Sequence, residues 1–282
     1  MDGPGIDPLN RVAGRRLSVR IHVENVGGTN FLLGASAAKP TDMQFALDKG
    51  ISCLKTLHAD AEPDLDLISS GSLDVLPRSP AARIAMEAAR AAAHAGHGDH
   101  SADVARYAFS GALADQAIDA MKATGVVDAA YVVSGECGAF FLEMDSVLNV
   151  PADHRGSLWL EVIRAIRPGI VKGGIAVAGT RVPCSADGDA DAVAIYARSA
   201  AEAALSSVFV AEAVEMPMTA RGQSIPSTEA IWDALSKGVR ALLPLREASM
   251  VRAGILSMRG RGRLIGPISG DRLLRFGVSD WR

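Results

Sequence analysis

The sequence predicts an α+β protein, and three observations carry that prediction. Short β-branched runs with two-residue alternation come in pairs joined by turn residues, as in 17–23 with 29–33 and 254–258 with 263–268. Alanine-rich segments of helical period lie in blocks between those pairs instead of following every strand, which favours antiparallel sheets with packed helices over a doubly wound sheet. The 282 residues are 49% hydrophobic, enough for one large core.

In chain order, residues 1–16 carry Gly and Pro but no apolar stretch of signal-peptide length, so they read as a flexible tail ahead of a single domain over 17–282. Leu17, Val19, Ile21 and Val23 alternate with polar residues, 24–28 is a turn, and 29–33 completes a hairpin. A helix is expected over 41–58, capped by Thr41 or Asp42, with Phe45, Leu47, Ile51 and Leu54 as its apolar positions. Residues 60–80 are a Pro-, Ser- and Gly-marked connection. Pro80 opens a helix over 81–95, since a proline in the first turn lacks only an N–H that would have no partner there. A Gly/His interruption at 94–100 precedes a helix over 101–123 that ends at Gly125.

The second half follows the same logic. Residues 126–133 and 139–144 form strands around the tight turn 134–138, and 158–163 and 170–177 are further strands around Pro168-Gly169. The run 192–197 is a short buried strand. It feeds a helix in which Ala201, Leu205, Val208 and Phe209 share one stripe, and Ser199 with Glu202 makes a capping-box pattern at its start. A helix over 228–243, begun by Ser227 or Thr228, precedes the final hairpin. No short-period repeat occurs.

Charge and cysteine usage bound the function. A net charge of -3 and a pI near 6.1 give no general pull toward nucleic acid or anionic membrane. The charge is uneven: residues 246–282 hold eight arginines against three acids, a net of +5 that leaves -8 for the rest. That is either a basic hairpin on an acidic body or an arginine-lined phosphate or carboxylate pocket. Cys53, Cys137 and Cys184 are scattered and odd in number, which fits a reducing cytoplasm better than a disulfide framework. No apolar run reaches the length of a membrane span. The P-loop, G-x-G-x-x-G, G-x-S-x-G and H-E-x-x-H patterns are all absent.

Five groups of residues could carry chemistry. The helix start at Ser199 presents backbone N–H groups and positive potential, which suits a phosphate. Glu202 and Ser206, one turn apart, either hold Mg²⁺ through hard oxygen ligands or serve the helix itself as cap and back-bonding hydroxyl. In the turn 134–138, Glu136 is a candidate acid/base or ribose-binding carboxylate and Cys137 a candidate nucleophile. Gly138 would allow a ligand close to the backbone there, and a turn without chemistry is the alternative. Lys172-Gly173-Gly174 reads as a phosphate-approach loop or as an ordinary turn. His94, His97 and His100 with Asp99 could bind Zn²⁺ or Ni²⁺, against which Gly96 and Gly98 argue for a solvated loop. The run Arg259–Arg263 is most simply a solvated hairpin tip, since RNA binding would need aromatic stacking partners.

The text Ala190-Asp191-Ala192-Val193, followed by Ser199-Ala200-Ala201-Glu202-Ala203-Ala204-Leu205-Ser206, resembles the closing motif of ApbE-like proteins, the FAD:protein FMN transferase superfamily. It is most similar to a branch of that superfamily found in archaea and bacteria. The superfamily motif reads roughly A-D-A-L-A-T, and its Asp and Thr help to hold Mg²⁺ beside the flavin dinucleotide. By that resemblance Glu202 stands at the Asp and Ser206 at the Thr, the architecture is ApbE-like (T-fold-like), and FAD or FMN with Mg²⁺ are the implied cofactors. The sequence departs from the pattern at two places. The N-G-G-D of the branch is replaced by Glu136-Cys137-Gly138-Ala139 ahead of Phe140, and the loop 179–189 has no His.

The expectation is a cytoplasmic protein that binds a phosphate-bearing flavin or related nucleotide between the 134–138 turn, the 172–189 region and the helix from Ser199. Mg²⁺-assisted transferase or hydrolase chemistry is one form of it. The alternatives are a binding module that kept the fold without the chemistry and a biosynthetic enzyme for a pterin-like cofactor. The expected partner is a small molecule, not nucleic acid or membrane. Apolar hairpins at both ends would also suit a homodimer.

Overall fold

Strands β1 (Val19–Val26), β2 (Thr29–Ser36), β3 (Ala129–Ser134), β4 (Cys137–Leu142), β5 (Lys172–Ala178), β6 (Ala192–Ala197), β7 (Val251–Met258), β8 (Arg261–Ile265) and β9 (Asp280–Trp281) lie side by side in the order in which the chain makes them. Every neighbouring pair is antiparallel except β8 and β9, which run parallel. These elements come from a computed structural model, which describes residues 19–70, 74, 76–97, 105–143, 157–166, 172–182, 186–217 and 226–282. The expected tail over 1–16, His100 and Cys184 lie outside the described residues.

The two faces of the sheet are sorted by the two-residue period of its strands. On one face Phe31, Leu33, Ala130, Val132, Ala139, Phe141, Val193 and Ile195 join the larger core. Helices α1 (Pro40–Ala61), α3 (Pro80–Ala92), α4 (Ala105–Lys122), α6 (Ala200–Ala213) and α7 (Thr228–Glu247) supply its other half. On the opposite face Leu32, Tyr131, Phe140, Ile175, Ala194, Tyr196 and Ile255 pack under α5 (Leu158–Ala165) and the C-terminal segment around Leu273 and Phe276. A register shift at Tyr196/Ala197 leaves Arg252 out of the pairing and changes the parity of β7, so that Val251 faces the helices while Ala253 faces α5.

The α+β prediction and its antiparallel pairing agree with this architecture. Three assignments need correction. Helix α1 begins at Pro40 with Lys39 as its N-cap and no side-chain cap, so neither Thr41 nor Asp42 caps it. Residues 158–163 are helix, not strand, because Leu158 and Trp159 donate their N–H groups to the Glu136 carboxylate, which caps α5 from another part of the chain. The connection over 60–80 includes the short helix α2 (Leu65–Ser69), steadied by Asp64, whose carboxylate accepts from the Arg78 and Ser79 amides.

Candidate active-site cavity

A cavity of about 270 Å³ opens where the β3–β4 turn meets the first turns of α4 and the middle of α6. Its floor is the two-residue loop Gly135-Glu136 between the paired residues Ser134 and Cys137. Gly135 has φ 58, the positive value that a tight hairpin with glycine at its first central position requires. Val177 donates its N–H to the Glu136 carbonyl and so ties the turn to β5. One wall is Arg106, Tyr107 and Ser110 of α4; the other is Ala204 and Ser207 of α6. The Arg106 guanidinium lies 5.0 Å from the Tyr107 ring centre and donates to its hydroxyl at 3.2 Å. A cationic edge and an aromatic face thus adjoin small side chains, a combination that admits a flat heterocycle.

Glu136 and Cys137 both line this cavity. The Glu136 carboxylate accepts from the Trp159 amide at 3.1 Å. Burial raises its pKa, while the α5 amides of Trp159 and Leu158 pull the other way. It therefore serves as the cap of α5 and, by position, as a polar group of the site. Cys137 is half-buried with Sγ 3.7 Å from the Ala200 carbonyl, at the rim shared with the start of α6.

The phosphate-approach residues have other work. Gly138 sits in β4, where a Cβ would lie 2.5 Å from the Val132 carbonyl oxygen. Gly173 and Gly174 are strand residues, not a loop. A Cβ on Gly173 would press on the Tyr196 ring, and one on Gly174 would fall on the Ala200 amide nitrogen. Lys172 pairs with Asp119 of α4 at 2.5 Å. These glycines are there for close packing of sheet, ring and helix.

The start of α6 is closed in the same way. Ala200 and Ala201 donate to the two carboxylate oxygens of Asp115 at 2.8 and 3.1 Å. Glu202 N–H goes to Ser199 Oγ at 3.2 Å, and Ala203 N–H to the Ser199 carbonyl at 3.0 Å. The three first-turn amides of Ala200, Ala201 and Glu202, which have no partner inside the helix, are all taken by protein oxygens, so the first turn holds none of them out to a phosphate. Asp115 is 6% exposed, and burial pushes its pKa up to about 7 against the pull of those amides. Gly111, one turn earlier, lets α4 approach: a Cβ there would lie 2.5 Å from the Ala200 carbonyl.

Glu202 keeps half of its capping box through its own amide, while its carboxylate turns to the Arg198 guanidinium, which donates to both oxygens. Ser206 is fully buried, and its Oγ has no hydrogen-bond partner among the described residues. The Mg²⁺ pair implied by the resemblance does not fit this geometry, because its one anionic ligand is already bound to a cation. Among the described residues no three His, Cys, Asp or Glu side chains gather as a metal site. His94 bonds to the Arg90 carbonyl at 2.7 Å, while the His97 side chain, Asp99 and His100 lie outside the described residues.

Four contributors lie outside what the sequence pattern singles out. Asp115 is one of two acids, with Asp119, in an alanine-rich helix, and only its spacing from Gly111 hints at a close helix contact. Arg106, Tyr107 and Ser110 were legible as the first turn of an expected helix, but nothing local ties them to residues 134–137.

Fold and site define an α+β protein with one sheet, a helix-backed face and a small cavity at a hairpin turn. No protein-family model and no curated protein sequence matches the chain. Among solved structures it is similar to the flavin transferase ApbE from Vibrio cholerae, at 10% identity and a TM-score of 0.46, over 85% of this chain and 93% of that one. It is similar also to a histidine-to-glycine mutant of that protein, at 10% identity and a TM-score of 0.47, over 91% of this chain and 99% of that one.

Proposed function

We propose that the protein binds the heterocyclic end of a phosphate-bearing flavin or related nucleotide cofactor in the cavity at the 134–137 turn. The observation that carries the reading is the cavity itself, which brings Glu136 and Cys137 against the Arg106–Tyr107 pair and the small side chains of α6. At about 270 Å³ it takes a ring system and leaves a phosphate arm outside, toward exposed Arg106. Tyr107 offers the stacking face, Glu136 and Ser134 offer polar contacts to ring heteroatoms, and Cys137 faces the same space. The motif resemblance implies the same ligand class.

The reading is one of cofactor binding without a Mg²⁺ step, since Arg198 occupies the carboxylate that such a step would use. It corresponds to a module that keeps the fold and binds a cofactor in the cytoplasm. Titration of the purified chain with FMN, followed by flavin fluorescence, should give saturable quenching that Tyr107→Ala weakens at least tenfold. Absence of saturation with FMN, riboflavin and FAD would sink the proposal. A pterin retained through native purification, identified by mass spectrometry, would move the ligand class to that ring. Covalent flavin on a Ser or Thr of an added protein would restore the transferase reading.

A further inference from the structure

The arginine-rich C-terminal region resolves into individual fates. Arg259, at φ 46, and Gly260, at φ 78, form the β7–β8 turn, and the Arg259 amide donates to Asp191 at 2.6 Å. Arg261 pairs with Asp280 at 2.9 Å. Arg263 turns the other way, toward α7, with its guanidinium 4.8 Å from the Trp232 ring centre; Arg282 reaches the same ring at 4.3 Å. Trp232 is 8% exposed, so both cations rest on a buried platform instead of trailing in solvent.

These two side chains and Arg240 of α7 line a recess of about 440 Å³, well apart in sequence from the 134–137 turn. Its remaining lining is Ser236 and an apolar wall that includes Val239 and Ile265. None of the three arginines is ion-paired with an acidic side chain among the described residues. The Arg263 Nε–H is buried and has no acceptor there. Three converging guanidiniums repel one another, and a buried donor without an acceptor is rare in folded proteins. The repulsion is relieved by the arrival of an anion with several acceptor oxygens, which planar guanidiniums recognise well; the Arg263 Nε–H stays behind the stacked ring, and the terminal N–H groups face the recess.

We propose that this recess is a second binding site, for a small phosphate ester or diphosphate that carries an apolar group. The arginines and Ser236 take the phosphate oxygens, and the Val239–Ile265 wall takes the apolar part. The site is independent of the cofactor cavity.

Isothermal titration of the full chain with inorganic pyrophosphate and with phenyl phosphate at low salt tests the assignment. One saturable site is expected, with phenyl phosphate retaining binding at a salt concentration that abolishes non-specific attraction. Arg240→Gln, at an exposed position, should weaken binding at least tenfold, and Arg263→Gln should do the same. Arg259→Gln, which removes the same charge outside the recess, should change it less than twofold, and Tyr107→Ala should leave it intact. No saturable binding, equal losses in Arg259→Gln and Arg240→Gln, or binding of single-stranded RNA alone would overturn the proposal. Loss of FMN binding with phosphate binding preserved would remove the cofactor reading and leave this site standing.

Discussion

Two glycine-marked places on this chain advertise a ligand in similar terms, and only one has room for it. The turn at 134–138 and the junction of Gly173-Gly174 with the α6 start both combine small residues with backbone amides. At the turn, the space beside Gly135 is open, with nothing within 4 Å of where its Cβ would be. At the junction the space is filled by protein: α6 against Gly174, α4 against Gly111, and Asp115 on the first two amides. Glycine permits close approach, and whether the visitor is a ligand or another helix depends on distant parts of the chain. A buried carboxylate can stand in for a phosphate at a helix start as well as a phosphate can.

The largest test of the closed junction is Gly174→Ala, whose methyl would displace the Ala200 backbone. It should cost about 3 kcal/mol or more, read as loss of cooperative thermal unfolding or of soluble protein. Next comes Asp115→Ala, which leaves two buried amides without acceptors and should cost about 2–4 kcal/mol in denaturant unfolding.

Asp115→Asn sharpens the same point through pH. In the fold the carboxyl is held at about 7 against its ordinary 3.8, so the folded protein binds that proton more tightly than the unfolded chain does. The resulting stabilisation is fully present below 3.8 and is lost as pH rises toward about 7. The stability of wild type relative to Asp115→Asn should therefore decline across that window and level off above it. A flat difference would mean that the two amides keep Asp115 ionised throughout.

Smaller effects probe the open turn. Glu136→Gln retains an acceptor for α5 but loses the charge at that helix start, so a loss of about 1 kcal/mol in thermal unfolding is expected. Smallest of all is Glu202→Gln, which breaks an i,i+4 pair between a buried carboxylate and a half-exposed Arg198 that can turn to solvent, and should stay within about 0.5 kcal/mol. FMN titrations of this variant with and without Mg²⁺ should match wild type. A Mg²⁺-dependent loss would reopen Glu202 as a metal ligand and erase the contrast between the two places.

What could be read in advance follows the range of the interactions. The unit from Ala192 to Ala213 was legible because strand period, Ser199 cap and helix stripe are all local, and the Ser199–Glu202 bond forms as its spacing suggests. The α5 segment was misread because Leu-Trp-Leu-Glu-Val-Ile is apolar enough for either state. Its helix is secured by Glu136, 23 residues away in sequence from Trp159. Asp115 is farther still, 85 residues from Ala200, and no local pattern could report it. For the site, Glu136 and Cys137 were visible as a turn. Their wall of Arg106 and Tyr107 belongs to a helix that meets the turn only through the packed sheet.

The strict succession of strands bears on how the molecule is made. In this sheet no strand has to slip between two that are already joined; each new one lays itself against the last, as the ribosome delivers it. By the time residues 200 and 201 emerge, Asp115 has long been synthesised, so the helix that needs it meets a waiting acceptor. Asp280 and Trp281 of β9 then close onto Arg261 and Gly262 of β8, the single parallel step in an otherwise antiparallel succession.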